Sequence, residues 1–221
     1  MRGAPDNSID IVLCTPNGRR LAVLLVRDEG KRAREKWCLP WATANEDETL
    51  DHAAARIAQR AAGARAAWMA QAGAFADGRR HPGGAALSVA YVGVTPRRDD
   101  ALPPRTRWFD ADDLPALAPR HRGMVDAALT QLRERLDRAP VAFRLLGATF
   151  TLSDLQAVYE LLLRRRLHKA SFRRALTAAF LVEPTDEWRS EGRGRPAQLF
   201  RYAPRKRRGG RGGPRFDMLG A

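Results

Sequence analysis

The side chains best equipped for chemistry are cations late in the chain. In Lys169-Ala170-Ser171-Phe172-Arg173-Arg174-Ala175-Leu176, Phe172, Ala175, Leu176 and Ala179 recur at helical spacing and form a packing stripe. Lys169, Ser171, Arg173, Arg174 and Thr177 are left for other faces. An arginine fork can hold N7 and O6 of guanine, while lysine and serine suit phosphates. Farther on, Arg193-Gly194-Arg195-Pro196 carries two arginines on a thin backbone, a form that fits a narrow minor groove or follows phosphates. Arg189, Arg201 and Arg205 flank it.

The earlier part of the chain offers less. Trp41 can narrow a pocket or present a stacking face to a base, and the guanidinium of Arg60 can hold phosphate oxygens. Glu48 supplies one carboxylate, and one carboxylate is a poor Mg²⁺ site without a substrate phosphate. His52, His81, His121 and His168 show no cluster and no ligand pair at metal spacing, so each reads as structural or surface. Cys14 and Cys38 fit neither a disulfide framework nor a zinc motif and read as reduced core thiols. There is no Walker loop and no G-x-S-x-G elbow.

These residues sit in a chain of 221 with a formal charge of +14. Residues 141–221 hold 17 Lys+Arg against 7 Asp+Glu, and the first 140 hold 22 against 18. A mildly charged body with a strongly basic end favours a polyanionic partner. No apolar run approaches the length that spans a membrane and the N-terminus has no signal core, so the expected location is the cytoplasm, nucleoid-associated when bound to DNA.

The elements that must position these side chains follow from periodicity. Strands are expected at 8–15 and 20–27, turning at Asn17-Gly18. A helix is expected over 49–62, with Leu50, Ala53, Ala54, Ile57, Ala58 and Ala61 on its apolar face, Asp47 as N-cap and Gly63 as stop. Further strands are expected at 66–75, 85–94 and 106–109. A helix at 120–136 is a candidate dimer interface or domain connector. Thr151 should cap a helix running to about Leu163; a basic turn, a helix over 169–180 and a hairpin around 191–196 complete the order of a winged helix-turn-helix.

The stretch from Leu21 to Ala64 resembles the Nudix fold family through LAVLLVR, a basic loop, Trp37-x-Leu39-Pro40, Glu48 and a helix closing at Gly63. In that family's signature, G-x5-E-x7-R-E-U-x-E-E-x-G-U, the first glycine falls on Ala42, the first glutamate on Glu48, the arginine on Arg56, the helix glutamates on Ile57, Arg60 and Ala61, and the last glycine on Gly63. Family members use Mg²⁺ or Mn²⁺ held by those glutamates to cleave nucleoside diphosphate derivatives. Isoleucine and alanine ligate no metal, and Arg60 puts a positive charge where the ion would sit. The resemblance with these departures implies no catalytic residues, no metal and no cofactor. It leaves Trp41, Glu48, Arg56 and Arg60 as candidate ligand-binding positions.

Residues 149–202 resemble the C-terminal domain of Nudix-related transcriptional regulators, the NrtR family, in TLSDLQAVYE at 151–160, Lys169, Phe172-Arg173-Arg174, Glu183-Pro184-Thr185 and Gly194-Arg195-Pro196-Ala197. The implied fold is α+β: a Nudix-like α/β/α sandwich with a mixed sheet, residues 1–138, then a winged helix-turn-helix over 139–204 and a disordered Arg/Gly-rich tail over 205–221. The implied function is a DNA-binding regulator, a repressor by expectation. It would be a homodimer on an inverted-repeat double-stranded operator, responding to ADP-ribose or a nucleotide-sugar and controlling NAD metabolism. Lys169, Ser171, Arg173, Arg174, Arg193 and Arg195 are its expected DNA contacts. The alternatives are a Nudix pyrophosphohydrolase with a nucleic-acid-binding appendage and an RNA-binding protein suggested by the tail.

Overall fold

The computed structural model describes residues 6–27, 36–76, 78, 81–97, 102–136, 140–190 and 196–203. The chain divides into two compact units, Met1–Leu132 and Arg133–Ala221. Among the described residues, no helix is long and apolar enough to cross a membrane.

The first unit is built on β1 (Asn7–Asn17), a strand buried on both faces from Ser8 to Cys14. Asn17-Gly18 turns the chain into β2 (Arg20–Arg27), with Gly18 at φ 60°, a conformation that glycine adopts without strain. Short strands follow at Trp37–Cys38 (β3) and Trp41–Ala42 (β4). Then come α1 (Leu50–Ala62), β5 (Trp68–Phe75), β6 (Leu87–Val94), β7 (Thr106–Asp110) and α2 (Pro119–Glu134). The seven strands form one mixed sheet, ordered β3-β2-β1-β6-β5, with β4 paired to β1 and β7 to β2. β1 and β6 run parallel; the other pairs are antiparallel.

Alternation along β1 assigns the two faces. Ile9, Ile11 and Leu13 meet Ala22, Leu24, Tyr91 and Trp108 and the buried face of α1, formed by Ala53, Ala54, Ile57, Ala58, Ala61 and Ala62. Alanine at five of those six positions lets the helix lie close to the sheet. Asp10 faces the other way and meets His121 of α2, so helices cover both faces, the α/β/α sandwich expected from the resemblance. Thr49, not Asp47, caps α1: its hydroxyl accepts from the His52 amide at 3.3 Å. Asp47 instead sits in the preceding turn with φ 61°. Leu50 is 44% exposed, so the apolar stripe begins at Ala53. Gly63 closes the helix at φ 69°, as its position implied. Cys14 and Cys38 are buried, and neither is in a disulfide.

In the second unit, a 3₁₀ turn (Ala142–Leu145) leads to α3 (Leu152–Leu163), α4 (Lys169–Ala179) and the antiparallel hairpin β8 (Val182–Arg189) and β9 (Ala197–Tyr202). Phe150 bridges to Phe200 as a third, minimal strand. Thr151 closes a capping box: its hydroxyl accepts from the Asp154 amide at 3.1 Å, and its own amide donates to Asp154 Oδ2 at 2.9 Å. Leu155, Val158, Tyr159, Leu162, Leu167, Phe172 and Leu176 are buried, and Tyr159 packs edge-on against Phe172 at 5.4 Å. The order is that of a winged helix-turn-helix.

Candidate functional site: a basic helix and a buried carboxylate with two imidazoles

The turn between α3 and α4 is set by Glu160. Its Oε1 accepts from the Leu167 amide and from Gln156 Nε2, both at 2.9 Å, and Arg166 approaches Oε2 at 3.3 Å. Burial pushes this carboxyl up, but those donors outweigh it and hold it below its usual range. The turn fixes where α4 starts. Phe172 and Leu176 point inward, and Lys169, Arg173 and Arg174 are exposed. No described acid forms an ion pair with any of these three. Ser171 is half-buried and tied locally to His168 Nδ1 at 3.1 Å. α4 thus presents the cationic face that its spacing implied.

The flanking arginines differ. Arg189 Nη2 meets both oxygens of Asp154, at 2.9 and 2.7 Å, tying β8 to the cap of α3. Arg201 pairs with Glu183 across the hairpin at 3.2 Å. Both arginines brace the hairpin. Arg193 and Arg195, together with Arg205 and the 205–221 tail, lie outside the described residues.

In the first unit the four candidate ligand positions separate into three environments. Glu48 and Arg56 face each other in a two-point bridge, Nε to Oε1 at 2.8 Å and Nη2 to Oε2 at 2.6 Å. Arg56 Nη2 also donates to the Thr43 carbonyl, and the Asn45 amide donates to Glu48, so the pair pins the 43–48 loop to α1. The Arg56 hydrogen bonds hold the Glu48 carboxyl down at about 2. Arg60 is exposed on α1, while Ile57 and Ala61, at the other helix-glutamate positions, are buried. Trp41 lies elsewhere, with its ring edge-on to His81 at 4.8 Å.

That contact leads to the feature the sequence concealed. His81 and His121, read from the sequence as unclustered, converge on Asp10, which corrects that reading. Both Nε2 atoms lie 2.9 Å from Asp10 Oδ1, and all three side chains have no exposed surface. His81 Nδ1 accepts from the Gly83 amide at 3.0 Å, and His121 Nδ1 from the Leu39 amide at 3.1 Å. Since each Nδ1 is an acceptor, each Nε2 carries the proton and donates to the carboxylate. Ser8 and Ser88 extend the network. Ser8 Oγ lies 2.7 Å from Asp10 Oδ2 and 2.8 Å from Ser88 Oγ. A carboxylate only accepts, so the Ser8 proton goes to Asp10 and the Ser88 proton to Ser8. Arg120 Nη1 then donates to Ser88 Oγ at 3.3 Å and to the Ala85 and Ala86 carbonyls at 2.7 and 3.2 Å. Burial pushes Asp10 up, but the bonds from His121 and His81 prevail and hold it below its ordinary value.

One carboxylate and two imidazoles within 4.8 Å of one another are the donor types of a transition-metal site. Their hydrogen bonds oppose that use. An ion on Nε2 would require Nδ1 to carry the proton, directly facing the Gly83 or Leu39 N–H. The cluster is a closed hydrogen-bond network.

Beside it lies a cavity of about 440 Å³ lined by Lys36, Trp37, Cys38, Pro82 and the 116–119 segment. Trp37 is also held by its neighbours: Phe109 meets it edge-on at 4.7 Å, and the Arg27 guanidinium lies 4.9 Å from its centroid. None of Trp41, Glu48, Arg56 or Arg60 lines this cavity.

Comparison with known proteins agrees with both halves. The NUDIX domain model matches residues 4–128, and the model of the NrtR DNA-binding winged helix domain matches residues 142–202. The chain is 24% identical over 208 residues to the ADPR responsive transcriptional repressor NtrR of Acinetobacter baylyi, covering 90% of this chain and 83% of that protein. It is similar to Shewanella oneidensis NrtR complexed with a 27mer DNA, at 28% identity and a TM-score of 0.77 over 89% of this chain and 93% of that one. The same Shewanella protein without DNA matches at 26% identity and a TM-score of 0.78, over 90% and 94% of the two chains. With the Nudix model spanning more than half of its length and the NrtR winged-helix model most of the rest, the chain belongs to the NrtR family of Nudix/winged-helix transcriptional regulators.

Proposed function

We propose that this protein is a transcriptional repressor. It binds a double-stranded, inverted-repeat operator through α4 and the β8–β9 hairpin, as a homodimer, and releases it when the Nudix unit takes up an ADP-ribose-like metabolite. The observation that carries the reading is the exposed cationic face of α4, with Lys169, Arg173 and Arg174 on the second helix of a helix-turn-helix. That helix enters the major groove in such motifs. The similarity to an NrtR solved with DNA supports the same assignment.

The effector class is supported by the name of the Acinetobacter relative and by the cavity. About 440 Å³ suits a small molecule, and its walls are apolar apart from Lys36. An aromatic base among those walls, with its phosphates near Lys36, satisfies both features. On this reading the Nudix unit senses and does not hydrolyse: isoleucine, arginine and alanine stand where the family's helix carries carboxylates, and Glu48 is committed to Arg56. Control of NAD metabolism follows if ADP-ribose is the effector.

The test is binding to the DNA upstream of its own gene, at roughly 150 mM salt with competitor DNA, so that nonspecific phosphate contacts are suppressed. A specific complex released by ADP-ribose is the expected result. A specific complex that ADP-ribose leaves intact would overturn the effector assignment, and the absence of any specific complex would overturn the repressor.

A further inference from the structure

We propose that Trp41, the 81–84 loop and the first turn of α2 form one coupled unit joined at Asp10, so that displacing the Trp41 ring resets α2. The proposal rests on the reading of the first unit as a sensor, and it names how that unit reports its state.

The contacts leave no slack. Trp41 pairs through its backbone with Asp10 across β4 and β1, and its ring stands edge-on to His81. The same ring lies against Gly83, where a Cβ would come within 2.2 Å of it. With the ring where it stands only glycine fits there, so the ring and the loop are in direct contact. Trp41 also stands just after Leu39-Pro40 and just before Ala42, the position of the first glycine of the Nudix pattern, and its bulky side chain lies against this loop.

The loop is tied to α2 through two successive residues. His81 and His121 donate to the same oxygen of Asp10, with their rings edge-on at 4.9 Å. Arg120, the preceding residue of α2, holds the Ala85 and Ala86 carbonyls at the loop's far end. The Leu39 amide, two residues before Trp41, occupies the remaining nitrogen of His121. Every polar atom of both imidazoles is used, so rotating either ring strands a buried donor or acceptor. Such a network has one satisfied arrangement and must rearrange as a whole. α2 then runs from Pro119 to Glu134, past Leu132 where the first unit ends. Its first turn and Arg133 and Glu134, which open the second unit, therefore belong to one continuous helix.

Gly83→Ala in the full-length protein tests this without knowledge of the effector, because the added methyl must displace the Trp41 ring. Two quantities are read: amide and imidazole NMR signals with hydrogen exchange, and affinity for the upstream DNA. The expected result is a shift of the Trp41 indole and His81 signals. The Leu39 amide and His121 ring should shift with them, exchange over residues 122–125 should be faster by about fivefold or more, and operator affinity should change by a similar factor. Trp41→Leu, which removes the ring without adding atoms, should disturb the same residues and serves if Gly83→Ala folds poorly. Indole or His81 signals that move while His121 and residues 119–125 keep wild-type shifts and exchange would overturn the coupling. If coupling is seen but the wild type forms no specific DNA complex, the repressor reading fails and the coupling stands.

Discussion

Glu48 and Arg56 bind each other at two points, 2.8 and 2.6 Å, and so consume the only carboxylate of the Nudix pattern that this chain retains. Both also hold backbone groups of the 43–48 loop. The pair should therefore act on stability. Glu48→Gln should lower the thermal midpoint at pH 7 by roughly 2–4 °C. Because the folded carboxyl is held down at about 2, below its ordinary 4.5, the stabilisation is complete above about pH 4.5 and is lost as pH falls toward 2. The midpoints of wild type and Glu48→Gln, measured by calorimetry, should converge across that window.

The helix carrying the degenerate box makes a second prediction. Ile57 is buried and Arg60 is exposed. Arg60→Glu should fold normally, whereas Ile57→Glu should destabilise by roughly 2–4 kcal/mol, by removing core packing and burying an unpaired carboxyl. The wild type, incubated with ADP-ribose and Mg²⁺, should release no AMP above the background of a heat-denatured control. Turnover abolished by Glu48→Gln would instead show a working enzyme.

How much of this was legible follows from the range of each signal. The stripe of α1 and the N-cap at Thr151 are local, and spacing within a few residues reveals them, whereas the reciprocal bond from Asp154 that makes the cap a box appears only in the structure. β3 and β4 have two residues each, too few for alternation to appear. Asp47 and Thr49 are both capping residue types two positions apart, and only the extra turn at Asp47 decides for Thr49. The Asp10 network was not legible. His81 lies 71 residues from Asp10 and His121 lies 111, and no spacing rule links them until the parallel pairing of β1 with β6 and the return of α2 bring all three together. The resemblance indicated the domains, but the surroundings of Trp41 emerge only from its contacts with Gly83 and His81.

The exposed face of α4 should separate base contacts from phosphate contacts. Arg173→Ala and Arg174→Ala remove exposed guanidiniums and should leave the thermal midpoint unchanged. If either arginine holds a guanine, its loss should weaken operator binding by about 1–3 kcal/mol and relax preference at one position of the half-site. Lys169→Ala should weaken binding to all sequences alike and reduce the dependence on salt by about one charge. Salt titrations of the three variants on operator and scrambled DNA discriminate the two roles, and identical behaviour of all three would show that α4 reads no bases.

Phe172 tests whether the reading helix depends on its own small core. It is fully buried on α4 and packs against Tyr159 of α3, which in turn contacts Phe143 at 6.5 Å. Truncating it to alanine should cost about 3–5 kcal/mol, the usual range for a phenylalanine cavity. The second unit is small and has little stability to spare, so that loss should unfold it while the first unit, with a separate core, stays intact. The expected melt of Phe172→Ala is therefore biphasic, with specific DNA binding abolished and the Asp10 network still protected in hydrogen exchange. A single cooperative transition shifted as a whole would show that the two units fold as one.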